Sequence, residues 1–204
     1  MGSLGERSGR LPMGQLTSRL GESTTRPPWR VIPAILGGFF GGTAQSELVA
    51  THFHISADPE TTWNRISLYE EVTGRPPLLL RVFMPHPLRT EGGKMRAGDL
   101  VHCIYNGGDL VKRIITVEPP YRMVFDVLQQ RLGIEGCVIA QEGSYEVDRM
   151  PDGSDLILTT QYRTFLHPRW LWQPLERMVA RSMHLHILRG MERSVREKAS
   201  SAVI

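Results

Sequence analysis

Residues 168–198 read PRWLWQPLERMVARSMHLHILRGMERSVREK. Trp172, Leu175, Val179, Met183, His186 and Gly190 stand three or four apart and fall along one side of a helix. Leu171, Met178 and Leu185 widen that stripe, while Arg177, Arg181 and His184 take the opposite side. The pattern predicts an amphipathic helix of about seven to eight turns, long for a globular domain. Two prolines bear on where it begins. If it starts at Pro168, Pro174 lies inside, bends the helix and swings Trp170 to Trp172 over a cavity mouth; if it starts at Gln173, Pro174 is a first-position residue. Arg169 to Trp172 already fit the stripe, which favours the earlier start. A helix of this length needs a broad apolar partner, and the strands before it supply one. A long helix lying across a curved antiparallel sheet leaves a cavity between the two, and function is expected there.

The chain has 204 residues, 41% of them hydrophobic, and a net charge of +3. That suits one domain with a tail and a full core. No Lys/Arg run is interleaved with aromatics, so no nucleic-acid surface is expected. Cys103 and Cys137 sit far apart in strand-like runs and read as reduced, buried thiols of a cytoplasmic protein. Two cysteines alone make no zinc site.

Residues 1–46, rich in Gly, Ser, Thr, Arg and Pro, read as a disordered or loosely packed tail. Glu6 stands where myristoylation at Gly2 wants Ser or Thr. Early Gly and Pro argue against a transit helix, and the first apolar run comes too late for a secretory signal. That run, VIPAILGGFFGG at 31–42, is too short to span a bilayer, which needs about 20 apolar residues. Two readings stay open: a linker packing Ile35, Leu36, Phe39 and Phe40 on the domain, or a peripheral membrane contact through 29–42 with Trp29 and Arg30 as interfacial anchors.

The domain is read as 47–198, with 199–204 a second tail. LVATHFHIS alternates, placing Val49, Thr51, Phe53 and Ile55 on one face and His52 and His54 on the other. Asp58 and Pro59 open a short helix that reaches about Tyr69. Prolines 76, 77, 85 and 87 make the next stretch a loop, with Leu78 to Phe83 as an apolar plug. From Asp99 a meander follows. Asn106-Gly107-Gly108 closes a hairpin, and Gly136 and Gly143 read as bulges in a strand running from Gly133.

VATHFHISADPETTW (49–63), VEPPYRMVFDV (117–127) and the terminal helix resemble the SRPBCC superfamily, the START-like group that includes polyketide cyclases and dehydratases, lipid-transfer domains and plant ligand-binding allergens. The likeness covers about 47–198. GDLVHCIYNGGDLVKRI (98–114), GSYEV (143–147) and HLHIL (184–188) resemble a bacterial subgroup in which the domain often follows membrane spans; only the short 31–42 run stands in their place here. The resemblance implies an α+β helix-grip fold: a curved antiparallel sheet of about six strands wrapped around a long C-terminal helix, with an internal cavity. It carries no universal catalytic motif, so it brings no catalytic residue.

The residues themselves show no nucleophile elbow, P-loop, dinucleotide fingerprint or H-E-x-x-H. His52 and His54 share a strand face without a third ligand, and His184 and His186 lie about 200° apart on a helix, so no metal or other cofactor is expected. Tyr105, Tyr145 and Tyr162 suit a cavity, each pairing a large ring with a free hydroxyl. Trp63, Phe83, Phe125, Trp172 and Val179 would supply apolar wall, and His186 a polar group on the apolar side. Three functions fit. The first is binding of a hydrophobic or amphipathic molecule of lipid, polyketide or isoprenoid type. The second is a cyclase, aromatase or dehydratase that orients its substrate, with His186 and Tyr162 moving protons. The third is a membrane-peripheral accessory domain.

Overall fold

The computed structural model describes residues 40–68 and 74–201. In chain order they form β1 (Phe40–Ile55), α1 (Pro59–Leu68), α2 (Leu78–Phe83), β2 (Pro87–Gly92), β3 (Leu100–Tyr105), β4 (Gly108–Glu118), β5 (Arg122–Arg131), β6 (Val138–Met150), β7 (Gly153–Leu166) and α3 (Arg169–Ser201). The strands make one antiparallel sheet, ordered β1-β7-β6-β5-β4-β3-β2. The fold is α+β, a curved sheet gripping a long C-terminal helix.

The described residues form seven strands where about six were expected. The added one, β2, lies in the proline-rich stretch read as loop. β2 is a sheet edge, where Pro87 can start a strand without breaking a ladder on its outer side. The apolar plug before it is helical α2. β1 starts at Phe40 rather than Glu47, crossing an irregularity between Phe40 and Gln45. The tail expectations for 1–39, including the membrane contact from residue 29, lie outside the described residues. β6 starts at Val138, not Gly133. Glu135 accepts backbone hydrogen bonds from Leu132 and Gly133 and closes a turn that holds Gly136, so Gly136 is not a bulge. Gly143 does lie in β6, where an added Cβ would sit 2.5 Å from the Phe125 ring. The register shift falls nearby, between Ala140 and Glu142.

α1 begins as its residues dictate. Asp58 accepts from Thr61 N at 2.9 Å and Thr61 Oγ1 at 2.8 Å, and Pro59 opens the helix. Trp63 and Ile66 then pack with Ile55, Leu156, Leu188 and Met191 and close one end of the molecule.

α3 runs 33 residues from Arg169, so Pro174 lies inside it. It continues past the expected limit at 198. Its buried side differs from the expected stripe. Leu171 and Met178 are 46% and 51% exposed, while Glu176 and His184 are 8% and 4% exposed. The inward row of β7 explains this turn of the helix about its axis. Thr160 and Thr164 offer hydroxyls, and helix positions one residue on from Leu175 and Met183 meet them. Against the sheet, α3 lies mainly over β1 and β7.

An ionic cluster fixes its first turns. Arg169 donates to Glu47 Oε1 at 2.8 Å and Glu176 Oε1 at 2.7 Å; Gln173 and Arg177 also reach Glu47, at 2.8 and 3.1 Å. Thr164 Oγ1 donates to the same Glu176 oxygen at 2.8 Å. Burial pushes the Glu47 carboxyl up, but hydrogen bonds from Arg169, Gln173 and Arg177 outweigh it and hold the group below the usual carboxylate range. Arg169→Ala leaves two carboxylates short of their shared cation. It is expected to lower unfolding free energy by about 3–5 kcal/mol in urea titrations. A loss under about 1 kcal/mol would mean that the pairs behave as surface ones.

Candidate functional site

Along β5 the ladder to β6 runs only from Arg122/Glu146 to Asp126/Glu142. Beyond it Gln130 stands in for the missing backbone bonds. Its Nε2 donates to Val138 O and its Oε1 accepts from Ala140 N, both at 2.9 Å. An extra residue, Leu128, sits where the β4–β5 register slips. It brings Gln130 and Leu132 to the inner face after Phe125 and Val127.

Between this part of the sheet and the first half of α3 lies a cavity of about 210 Å³. Phe125, Leu132, Leu158 and Leu166 form its sheet wall, Phe83 comes from α2, and Trp172, Leu175, Val179 and Met183 come from α3. A smaller chamber of about 60 Å³ adjoins it, lined by Ile66, Val101, Cys103, Met123 and Met191 among others. Tyr105, Lys112, Phe125, Tyr145 and Ile187 line both and form the partition.

No family model and no curated protein matches the chain. Solved structures do. Norcoclaurine synthase from Thalictrum flavum superposes with a TM-score of 0.52 at 12% identity, over 89% of this chain and 98% of that one. A START superfamily protein from Mycobacterium smegmatis gives 0.50 at 11% identity, over 74% and 97%. This is the START-like helix-grip fold. At these identities the likeness is one of fold.

In that frame the expected wall residues can be placed. Phe83, Tyr105, Phe125, Tyr145, Tyr162, Trp172 and Val179 line the cavity. Trp63 does not: it is 3% exposed in the closed end beneath α1, because the inward face of that helix packs on Ile55 and Leu188 rather than on open space. His186 is also a correction. It is buried outside the cavity wall, where burial and the charges of His86 and Arg193 hold its pKa down. The Tyr162–His186 proton-transfer pair is therefore not assembled at the cavity. Burial, with Glu176 and Glu47 nearby, pushes the Tyr162 phenol far up and keeps it protonated.

The histidine that reaches the cavity is His184, assigned to the wet face from sequence. Its Nδ1 meets Thr51 Oγ1 and its Nε2 meets Thr160 Oγ1, each at 2.9 Å, tying α3 to β1 and β7. A neutral imidazole serves both threonines, donating to one and accepting from the other. The spacing Glu176, Ala180, His184, Leu188 was legible as a second row of the same helical stripe, but polar residue types hid it. Lys112 was missed likewise. It stands between Leu110 and Ile114 at strand spacing, the phase that turns inward. His52 and His54 do face outward, beside Asp155 at 3.8 and 3.7 Å. Among the described residues no His/Cys/Asp/Glu group could hold a metal, and no helix is long and apolar enough to cross a membrane. Cys103 and Cys137 are free and buried.

Burial, then the charge of Lys112, lowers the His184 pKa from 6.5 to about 4. Between those two values the unfolded chain takes up a proton that the folded chain refuses. Stability should therefore fall as pH drops from about 6.5 towards 4 and then level off, by about 3 kcal/mol for this group. His86 and His186, lowered mainly by burial, add to the slope. Urea midpoints at pH 7 and pH 5 test it. His184→Gln, whose amide can serve both threonines without titrating, should lose a clear part of the slope; an unchanged slope would contradict the assignment.

Proposed function

We propose that this protein binds a hydrophobic or amphipathic small molecule in the cavity between the sheet and α3. The observation that carries this reading is the cavity itself: a mainly apolar chamber, several of whose polar groups are already committed to the fold. Gln130 bridges the start of β6, Glu176 serves Arg169 and Thr164, and His184 serves two threonines. An apolar wall with a few convergent polar groups is the usual make-up of a small-molecule site. The likeness to norcoclaurine synthase adds support, since that protein was solved in complex with dopamine and hydroxybenzaldehyde. Protein purified from its native host, extracted with organic solvent and analysed by mass spectrometry, should yield a near-stoichiometric small molecule. Ala180→Phe, which fills the chamber from α3, should yield none while folding normally. Identical extracts from both proteins would sink the reading.

Trp172 gives a second check. It lines the cavity half-buried, with Nε1 donating to His167 O at 3.1 Å. Trp172→Ala should weaken binding of the extracted molecule at least tenfold. It should cost less stability than the about 3–5 kcal/mol typical of a fully buried Trp. A collapsed melt with unchanged affinity per folded molecule would make Trp172 a packing residue only.

A further inference from the structure

Lys112 is a charged group on the cavity wall to which the described residues offer no ion pair. Its neighbours two residues either way, Leu110 and Ile114, are buried on the inner face, and Lys112 itself is half-buried on the partition between the two chambers. Its Nζ stands 4.0 Å from the centroid of the Phe125 ring. Among the described residues no carboxylate pairs with it, whereas Arg113, Arg122, Arg149, Arg169 and Arg177 all have acidic partners. The cavity's two carboxylates do not answer it either. Glu176 is held by Arg169 and Thr164, and Glu142 is exposed at the rim. A ring face offers an ammonium modest attraction, but a half-desolvated cation among apolar walls calls for an anion. Tyr105 and Tyr145 share the partition. Burial, with Cys103 and Tyr145 close by, keeps the Tyr105 phenol protonated, so it can only add a donor to an incoming oxygen anion.

Resting on the ligand-binding reading above, we propose that the ligand is an amphiphilic carboxylate whose head group pairs with Lys112 at the partition. Its hydrocarbon part lies in the larger chamber towards Leu166 and Trp172. Among the described residues Lys112 is the one Lys or Arg lining the larger chamber, which matches one negative charge; Lys94, in the smaller chamber, donates to Thr90 Oγ1 at 2.6 Å.

Calorimetric titration of the full chain with decanoate and with 1-decanol tests this, because the two probes share a chain and differ in the head group. Wild type should take up both and prefer decanoate at least tenfold. Lys112→Met should lose that preference while binding decanol within about twofold of wild type, and Lys112→Arg should keep most of it. Equal affinity of wild type for both probes would overturn the carboxylate assignment and leave the cavity reading standing. So would a preference that survives in Lys112→Met with a normal melt. Uptake of neither probe by wild type would overturn both.

Discussion

The grip of β1 and β7 on α3 through polar side chains is the constraint on which this molecule depends. Glu47 and Thr164 hold the first turns through Arg169, Gln173, Glu176 and Arg177, and Thr51 and Thr160 hold the middle through His184. These contacts have direction, which apolar packing lacks. They fix both the rotation of the helix about its axis and the side of the sheet on which it rests. Buried charge pairs add little net stability over well-packed apolar residues, so their value here is geometric. With the helix bound at one side of the sheet, part of the inner face of β4, β5 and β6 borders open space instead of α3. The cavity is the consequence.

The apolar contacts complete the arrangement from the other end. Leu188 and Met191 of α3 join Trp63 and Ile66 of α1 in a dense cluster with Ile55 and Leu156. Leu80 of α2 meets Val179 and Met183 beside the cavity. The first half of α3 thus spans the larger chamber, while the second half joins the packed cluster and borders only the smaller one. On the sheet side Gln130 performs the matching task. Where β5 and β6 stop pairing, backbone groups left buried without a partner would cost about 1–3 kcal/mol each, and its amide satisfies two of them while keeping the strands apart.

What the sequence disclosed follows from which forces leave periodic traces. Strand alternation at Val49, Thr51, Phe53 and Ile55, the Asn106-Gly107 turn and the long stripe of α3 are repeating features, and each led to the right element. β2 left no such trace, because an edge strand can carry prolines and polar residues. The cavity wall was partly readable: large aromatic residues on inward phases lined it, as Phe125, Tyr145 and Trp172 do. The polar residues were misread for a common reason. His184 was set opposite the apolar stripe, and Glu176 and Lys112 were not singled out, because their polar types say surface while their places in the period say inside. Trp63 and His186 failed in the opposite sense. They are buried, but burial in a grip fold divides between packed end and open chamber, and only the three-dimensional course of α3 tells the two apart.

An open chamber is a physical burden as well as a binding site. At about 24 cal/mol per Å³, the packing that a solid core would gain across a space of about 210 Å³ is on the order of 5 kcal/mol. That is comparable with the whole net stability of many domains. The fold must offset it elsewhere, and the packed cluster around Leu188, Trp63 and Ile55 is where the compensation lies. The same figure bears on Lys112. A half-buried ammonium facing that chamber adds a desolvation cost, and among the described residues no carboxylate answers it, so two destabilising features meet at one partition. A single occupant with an apolar body and an anionic end would relieve both. An apolar occupant alone would relieve only the first, and a small anion alone only the second.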